Sequence, residues 1–337
     1  MGAGPTTVEA ARREALALLA RTLTDAGVDF FVVPTYIGEP YRLGVLATSR
    51  AAALAAVRSS GGGWKARRQG PGRPGTAVPV ADLTDDGQAA LVVFRPRSWP
   101  DSSFRFAAGA GVTLEFWVPT EDGWDAPLRN PVSCLIPLSG QSPATVSVAG
   151  ASYRTVAALT DRPWDDIDVP IDVVYTWVDG ADPEWVARRD ERLAALGGPA
   201  TVRREACDEI RFADHGELRY SLRSLEQFAP WVRTVYLVTA GQRPDWLVDG
   251  HPRLRVVDHR DILEPDALPT FNSLAIETGL HRIDGLSDSY LYFNDDVFAG
   301  RSVTPRQFFL RPDVHRFYPQ MRATLDPGPR TDDDPPF

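Results

Sequence analysis

Lysine is all but absent: Lys65 is the single one, and arginine supplies the rest of the 36 basic residues. This nearly excludes Schiff-base chemistry and lysine-based phosphate loops, and leaves arginine to hold any anion. Cysteine is as scarce. Cys134 and Cys207 stand far apart with no CxxC and no zinc-ligand spacing, so both read as ordinary buried thiols in a reducing compartment. No apolar run is long enough to span a bilayer; the uncharged stretch 130–153 is punctuated by Pro, Ser and Gly. Glu9, Arg12, Arg13 and Glu14 interrupt the one stretch that could serve as a signal peptide, and the match of residues 1–6 to a myristoylation pattern reads as chance. A cytoplasmic setting is expected, with peripheral association at the inner membrane face left open. Gly109-Ala-Gly111 lacks the third glycine of a dinucleotide loop, and no GKS/T is present. Nor is there an excess of positive charge. With 45 acidic against 36 basic residues the net charge is -9, which repels polyphosphate backbones, so nucleic acid is not an expected partner.

What is present is a globular composition, 43% apolar and 24% charged over 337 residues, enough for two domains. The first half reads as helix 8–25, strand 28–33, strand 42–47, helix 49–58 and strands at 89–95 and 112–118, a smaller α/β or α+β domain over 1–160. The Pro- and Asp-rich stretch 159–170 marks the boundary. Beyond it, strands are expected at 171–178, 234–239, 254–257 and 289–293. Helices alternate with them: one from Asp182-Pro183, one capped by Asp214 with Glu217 as its N3 acid, and one over 273–283. That alternation predicts a mostly parallel, doubly wound sheet over 168–325, with a disordered tail over 326–337.

In such a sheet the reactive groups sit on loops at the carboxyl ends of strands, and two ends stand out: Tyr175-Thr176-Trp177-Val178-Asp179-Gly180 and Asn294-Asp295-Asp296. Adjacent carboxylates repel in a dry site, so Mg²⁺ or Mn²⁺ would explain Asp295 beside Asp296; both reach one ion only if the strand has turned at Asp295. The plainer alternative is a pair of aspartates capping a loop. Arg219 and Arg223, four apart on a helix with Arg211 just before it, could clamp a phosphate or simply pair with Glu217 and Glu226. Glu277 and His281, one helical turn apart, could share acid–base work or form an exposed ion pair. His215, His251, His259 and His315 fit no metal-ligand pattern and read as structural or surface residues; Tyr175, Trp177 and Trp231 read as core, with stacking of a strand-end aromatic on a nucleobase as the alternative.

Several long motifs follow one another in order. Ile171-Asp-Val-Val-Tyr-Thr-Trp-Val-Asp-Gly180 resembles the first conserved region of the Stealth family of sugar-phosphate transferases. Arg211-Phe-Ala-Asp-His-Gly-Glu-Leu-Arg-Tyr-Ser-Leu-Arg-Ser224, Ala229-Pro-Trp-Val-Arg233, Val238-Thr-Ala-Gly-Gln242, Leu268-Pro-Thr-Phe-Asn-Ser273, Ala275-Ile-Glu277, Leu280-His-Arg-Ile283 and Leu291-Tyr-Phe-Asn-Asp-Asp296 resemble the second. The resemblance implies a nucleotide-sugar transferase type of Rossmann-like sheet. It further implies transfer of a hexose-1-phosphate or N-acetylhexosamine-1-phosphate from a UDP-sugar to a glycan hydroxyl, with release of UMP, in capsular or exopolysaccharide synthesis. By the same resemblance Glu277 and Asp296 match active-site positions and Tyr175 to Gly180 help form the nucleotide pocket; the ion is expected on Asp295, Asp296 or both. Arg211, Asp214, Glu217, Arg219, Arg223, Asn272, His281 and Asn294 would contact substrate or brace the site. The family's third and fourth regions have no match before Phe337. The expectation therefore includes a partner chain that completes the site, and keeps two alternatives: a metal-dependent glycosyltransferase releasing UDP, and a non-catalytic nucleotide-sugar-binding protein.

Overall fold

The computed structural model describes residues 7–61, 63–69, 75–98, 105–161, 163, 165–198, 211–248, 250–312 and 314–318. The chain divides into two compact units. Met1–Ile167, Glu226–Trp231 and Ala299–Pro312 form the first; the second is chiefly Asp168–Leu225 and Val232–Phe298. The first is the larger, contrary to expectation, because it takes in two segments from the second half of the sequence.

Thr7 opens helix α1 (Val8–Asp25), its side-chain oxygen accepting the Ala10 N–H at 3.0 Å. Then follow β1 (Phe31–Val33), β2 (Arg42–Leu46), α2 (Arg50–Ser59), β3 (Lys65–Gln69), β4 (Val78–Pro79), β5 (Ala90–Phe94) and β6 (Arg97–Ser98). The remaining strands of this unit are β7 (Arg105–Phe106), β8 (Val112–Pro119), β9 (Gly123–Asp125), β10 (Leu135–Pro137), β11 (Pro143–Val148) and β12 (Ala151–Val156). A mixed sheet runs β1-β2-β8-β5-β3-β4, with β9 and β10 continuing from β8. Alternate residues explain its two covered faces. Val32, Leu43, Leu91 and Leu114 pack with Leu16, Leu19 and Leu23 of α1, whereas Phe31, Val33 and Trp117 pack with Ile136, Val156 and Leu159.

The second half holds β13 (Ile171–Thr176), α3 (Pro183–Ala195), α4 (Glu217–Phe228), β14 (Val232–Thr239), β15 (Leu254–Asp258), α5 (His259–Ile262), α6 (Ser273–Glu277) and β16 (Tyr290–Asn294). Ile171 to Tyr175 are all buried, as an apolar, β-branched strand covered on both faces requires. The sheet order is β15-β14-β13-β16 and every pairing is parallel. Asp172 ties its amino-terminal edge together. Fully buried, it accepts from Arg233 Nε at 2.9 Å, Thr234 N at 3.1 Å and Ser287 N at 2.8 Å.

Three expectations are corrected. The helix over 273–283 is two pieces, α6 and a 3₁₀ turn at Leu280–Arg282. At the break Gly279 approaches Ile262 so closely that a Cβ would lie 2.7 Å from its carbonyl oxygen. Glu277 and His281 therefore do not share a continuous α-helical face, and His281 is exposed. Asp214 is not the N-cap with Glu217 at N3, since α4 opens at Glu217. Instead Asp214 Oδ1 accepts the Gly216 N–H at 2.8 Å and Glu217 Oε2 the His215 N–H at 2.7 Å, satisfying donors that precede the first turn. Finally, Cys134 is exposed rather than buried, on the segment just before β10. Cys207 and the expected tail from Asp326 lie outside the described residues.

Candidate active site

Along the sheet the order of strands in the chain is third, second, first, fourth, so its direction reverses between β13 and β16. In open parallel sheets a crevice forms at the carboxyl ends of strands where the order reverses. Thr176 pairs with Asn294 across that reversal, which sets the last residues of the two strands side by side. A cavity of about 1030 Å³ opens here, and Thr176, Trp177, Asn294, Asp295 and Asp296 line it.

The chain does turn at Asp295. Strand β16 ends at Asn294, and Val297 N donates to Asn294 O at 3.1 Å to close the turn. Both carboxylates are thus freed from strand alternation. Burial, the Asp296 carboxylate and then Glu217 and Asp214 push the Asp295 carboxyl up to about 6, so four acids converge electrostatically at this strand end. Glu277 joins them through Tyr292. The Tyr292 hydroxyl shares a 2.8 Å hydrogen bond with Thr176 Oγ1 and also interacts with Glu277, and burial with these carboxylates raises its pKa.

Tyr175 is fully buried below the rim, its ring edge-on to Phe293 at 5.7 Å and its hydroxyl 2.6 Å from Ser221 Oγ. Ser221 in turn donates to Val297 O, so Tyr175 and α4 together fix the loop carrying Asp295 and Asp296. Asp179 and Gly180 lie outside the cavity wall and shape its loop. Asp179 Oδ1 caps Ala181 N at 2.9 Å, and Gly180 N donates to Phe212 O at 2.9 Å. A Cβ on Gly180 would sit 2.3 Å from that oxygen. Gln242, which ends one of the motifs resembling the second conserved region but was assigned no role there, closes the same loop: its amide bonds Asp179 O at 2.9 Å and Asp182 Oδ2 at 2.8 Å, and its carbonyl accepts Asp179 N at 3.2 Å.

Of the arginines expected at the site, Arg211 lines the cavity. Arg219 and Arg223 do not; both are exposed on α4, and Arg223 lies over the Tyr220 ring. Arg189 and Arg192 of α3 take part in the wall instead, beside Trp185, Phe212 and Phe271. Trp185 meets Phe212 at 5.1 Å and Phe271 at 5.2 Å, an aromatic wall opposite in character to the acidic rim. Asn272 also lines the cavity and N-caps α6 by accepting from Leu274 N at 3.0 Å. His259, read as structural or surface, is buried in the cavity wall, and burial lowers its pKa. Only its place directly after β15, at another carboxyl strand end, could have marked it in the sequence.

Among the described residues no three His, Cys, Asp or Glu side chains are disposed to hold one ion. The donor chemistry nevertheless fits Mg²⁺, which commonly takes one or two carboxylates and completes its shell with substrate phosphates and water. Asp295, whose carboxyl is raised by like charges, is the kind of group an ion would relieve.

Comparison with known proteins bears on the same residues. The profile of Stealth protein conserved region 1 matches residues 169–197, and that of conserved region 2 matches residues 211–317. The chain carries these two regions of the Stealth family. Every residue lining the large cavity falls inside one or the other. Over 347 residues the chain is 41% identical to exopolysaccharide phosphotransferase SCO6023 of Streptomyces coelicolor, covering 96% of this chain and 58% of that protein. It is 46% identical over 254 residues to exopolysaccharide phosphotransferase SCO2592 of the same organism, covering 73% of this chain and 26% of that one. With exopolysaccharide phosphotransferase CpsY of Mycobacterium tuberculosis it shares 32% identity over 317 residues, 92% of this chain and 58% of that protein. The Stealth-related chain thus spans between about a quarter and three fifths of the length of these relatives. Among the described residues no helix is long and apolar enough to cross a membrane.

Proposed function

We propose that this chain binds a UDP-sugar in the cavity at the carboxyl edge of the parallel sheet and transfers its sugar-1-phosphate to a glycan hydroxyl in exopolysaccharide synthesis. The observation that carries the reading is the Asp295-Asp296 turn beside Thr176, at the reversal of strand order in a parallel sheet, inside a cavity that arginine and aromatic side chains also line. The relatives' shared description as exopolysaccharide phosphotransferases supports the same class of reaction.

In this reading Asp295 and Asp296 hold Mg²⁺ or Mn²⁺, which when bound would neutralise diphosphate charge. Arg211, Arg189 and Arg192 line the same cavity and supply positive charge that offsets the remaining phosphate charge and orients the donor, Arg189 exchanging its pairing with Asp190 for the phosphate. The acceptor hydroxyl oxygen forms a bond to the phosphorus that bears the sugar, and the bond from that phosphorus to the bridging oxygen breaks, so UMP leaves. The hydroxyl proton passes to a carboxylate, and Glu277 is the group assigned to take it. Tyr175, Gln242 and Gly180 act by holding the two loops in place.

Incubation with a panel of UDP-sugars, Mg²⁺ and candidate glycans, followed by chromatography of the nucleotide products, tests this. UMP with a phosphodiester-linked product is expected. UDP would assign glycosyl transfer, and donor binding without either product would assign a nucleotide-sugar-binding protein.

A further inference from the structure

The first unit contains a cleft of its own, about 580 Å³ in volume, at the end of strand β1. It shares no lining residue with the nucleotide-sugar cavity, and all of its wall except Pro230 and Trp231 lies outside the two matched Stealth regions. We propose that this cleft binds an uncharged saccharide chain.

Three rings line it, each held by its own bond. The Tyr36 hydroxyl donates to Asp165 Oδ1 at 2.9 Å while the Arg306 guanidinium lies 3.9 Å from the ring centre. Tyr41 donates to Glu9, and Trp231 Nε1 donates to Val303 O at 2.8 Å. Rings fixed before binding lose little entropy when a ligand arrives, and an aromatic surface suits the C–H face of a pyranose. The polar groups choose between ligands. Glu9, Glu39, Asp161 and Asp166 line the cleft, and its one cationic residue, Arg13, is paired with Glu9 at 2.9 Å. A phosphate or sulfate would be repelled from such a wall, whereas sugar hydroxyls can donate to carboxylates. Among the described residues Glu9 Oε2 and Glu39 Oε1 make no hydrogen bond, so acceptor oxygens are available in a wall that already has its rings in place. Burial raises the Glu39 pKa, against the opposing pull of Arg42, Arg306 and Arg12.

The hairpin joining β11 to β12 closes one side, and at its tip Ala149 has φ of 53°, the one non-glycine residue with positive φ among those described. Gly150 follows with φ of 82°, so the pair forms the two-residue turn that a tight hairpin requires. The saccharide specificity follows from the cleft alone; its assignment as the landing place of the growing acceptor rests on the transferase reading.

Isothermal titration of the full chain with maltohexaose, mannohexaose and galactohexaose tests the proposal, with a heparin hexasaccharide and spermidine as charged probes. At least one neutral hexasaccharide is expected to bind, and more tightly than either charged probe. Ser147→Trp, an exposed position on the cleft wall, and Glu39→Gln should each weaken that binding by about tenfold or more, near 1.4 kcal/mol. UDP-sugar binding should be unchanged in both. Should Ser147→Trp fail to match the wild-type melting temperature, Glu39→Gln carries the test. Failure of all three neutral probes, tighter binding of heparin or spermidine, or indifference to the variants overturns the proposal. Loss of UDP-sugar binding in a protein that still binds hexasaccharide would overturn the transferase reading alone.

Discussion

Asp296 and Glu277 are where a single atom should matter most. Asp296→Asn and Glu277→Gln are each expected to lower UMP release by about 100-fold or more, while far-UV circular dichroism and melting temperature stay near wild type, because neither side chain is buried in the core. Asp295 should behave differently. Its folded-state pKa of about 6 lies above the ordinary 3.8, so the folded chain holds this proton more tightly than the unfolded one. That contribution to stability is fully present below the ordinary value and is lost as the pH rises through about 6, leaving an ionised carboxylate among like charges. Asp295→Asn should therefore raise the melting temperature of ion-free protein at about pH 8 and leave it nearly unchanged at about pH 3. Mg²⁺ should stabilise the wild type at the higher pH far more than this variant. Unequal effects of this kind can be read by differential scanning fluorimetry. The aspartate pair could be seen in the sequence because it sits next to an apolar run. The roles of Tyr292, Gln242 and His259 could not, because each acquires its role from a residue on another strand or loop.

Among the elements, β13 does most to assemble the site, since its amino end is tied by Asp172 and its carboxyl end opens into the loop to Gly180. Asp172→Ala removes the acceptor of two backbone N–H groups, whereas Arg233, 43% exposed and still bonded to Gly285 O, can turn to water; a loss of about 1–3 kcal/mol is expected in urea denaturation. Gly180→Ala places a methyl 2.3 Å from Phe212 O, so the loop or Phe212 must move. A cost of about 1–3 kcal/mol and weaker UDP-sugar binding are expected, measurable by thermal melts and calorimetry. Strands β1, β2, β5, β8 and β13 to β16 and the helices α1, α2 and α3 were legible from apolar periodicity and caps, α1 over its whole length, whereas β3, β4, β6, β7 and β9 to β12 were not. The helix past Glu277 was not. Its apolar residues keep helical spacing through Ile283, yet the close approach at Gly279 breaks it, and a distant contact leaves no local pattern.

For the whole molecule, the first unit is not continuous in sequence. Trp231, Val303 and Arg306 belong to it, and Arg306 bonds Asp165 Oδ2 at 2.8 Å. A fragment of residues 1–167 is expected to melt at a lower temperature than the same unit within the full chain, as hydrogen exchange on α1 and β8 would show. By itself the sequence determined the parallel sheet and the acid-bearing strand end, because periodicity, turn residues and charge act over a few neighbouring positions. Tertiary structure alone decided which arginines face the cavity and what Tyr175 braces. It also decided that residues from the second half complete the first unit. Those outcomes depend on strand order and on side chains meeting across gaps of tens of residues, which no local rule of spacing records.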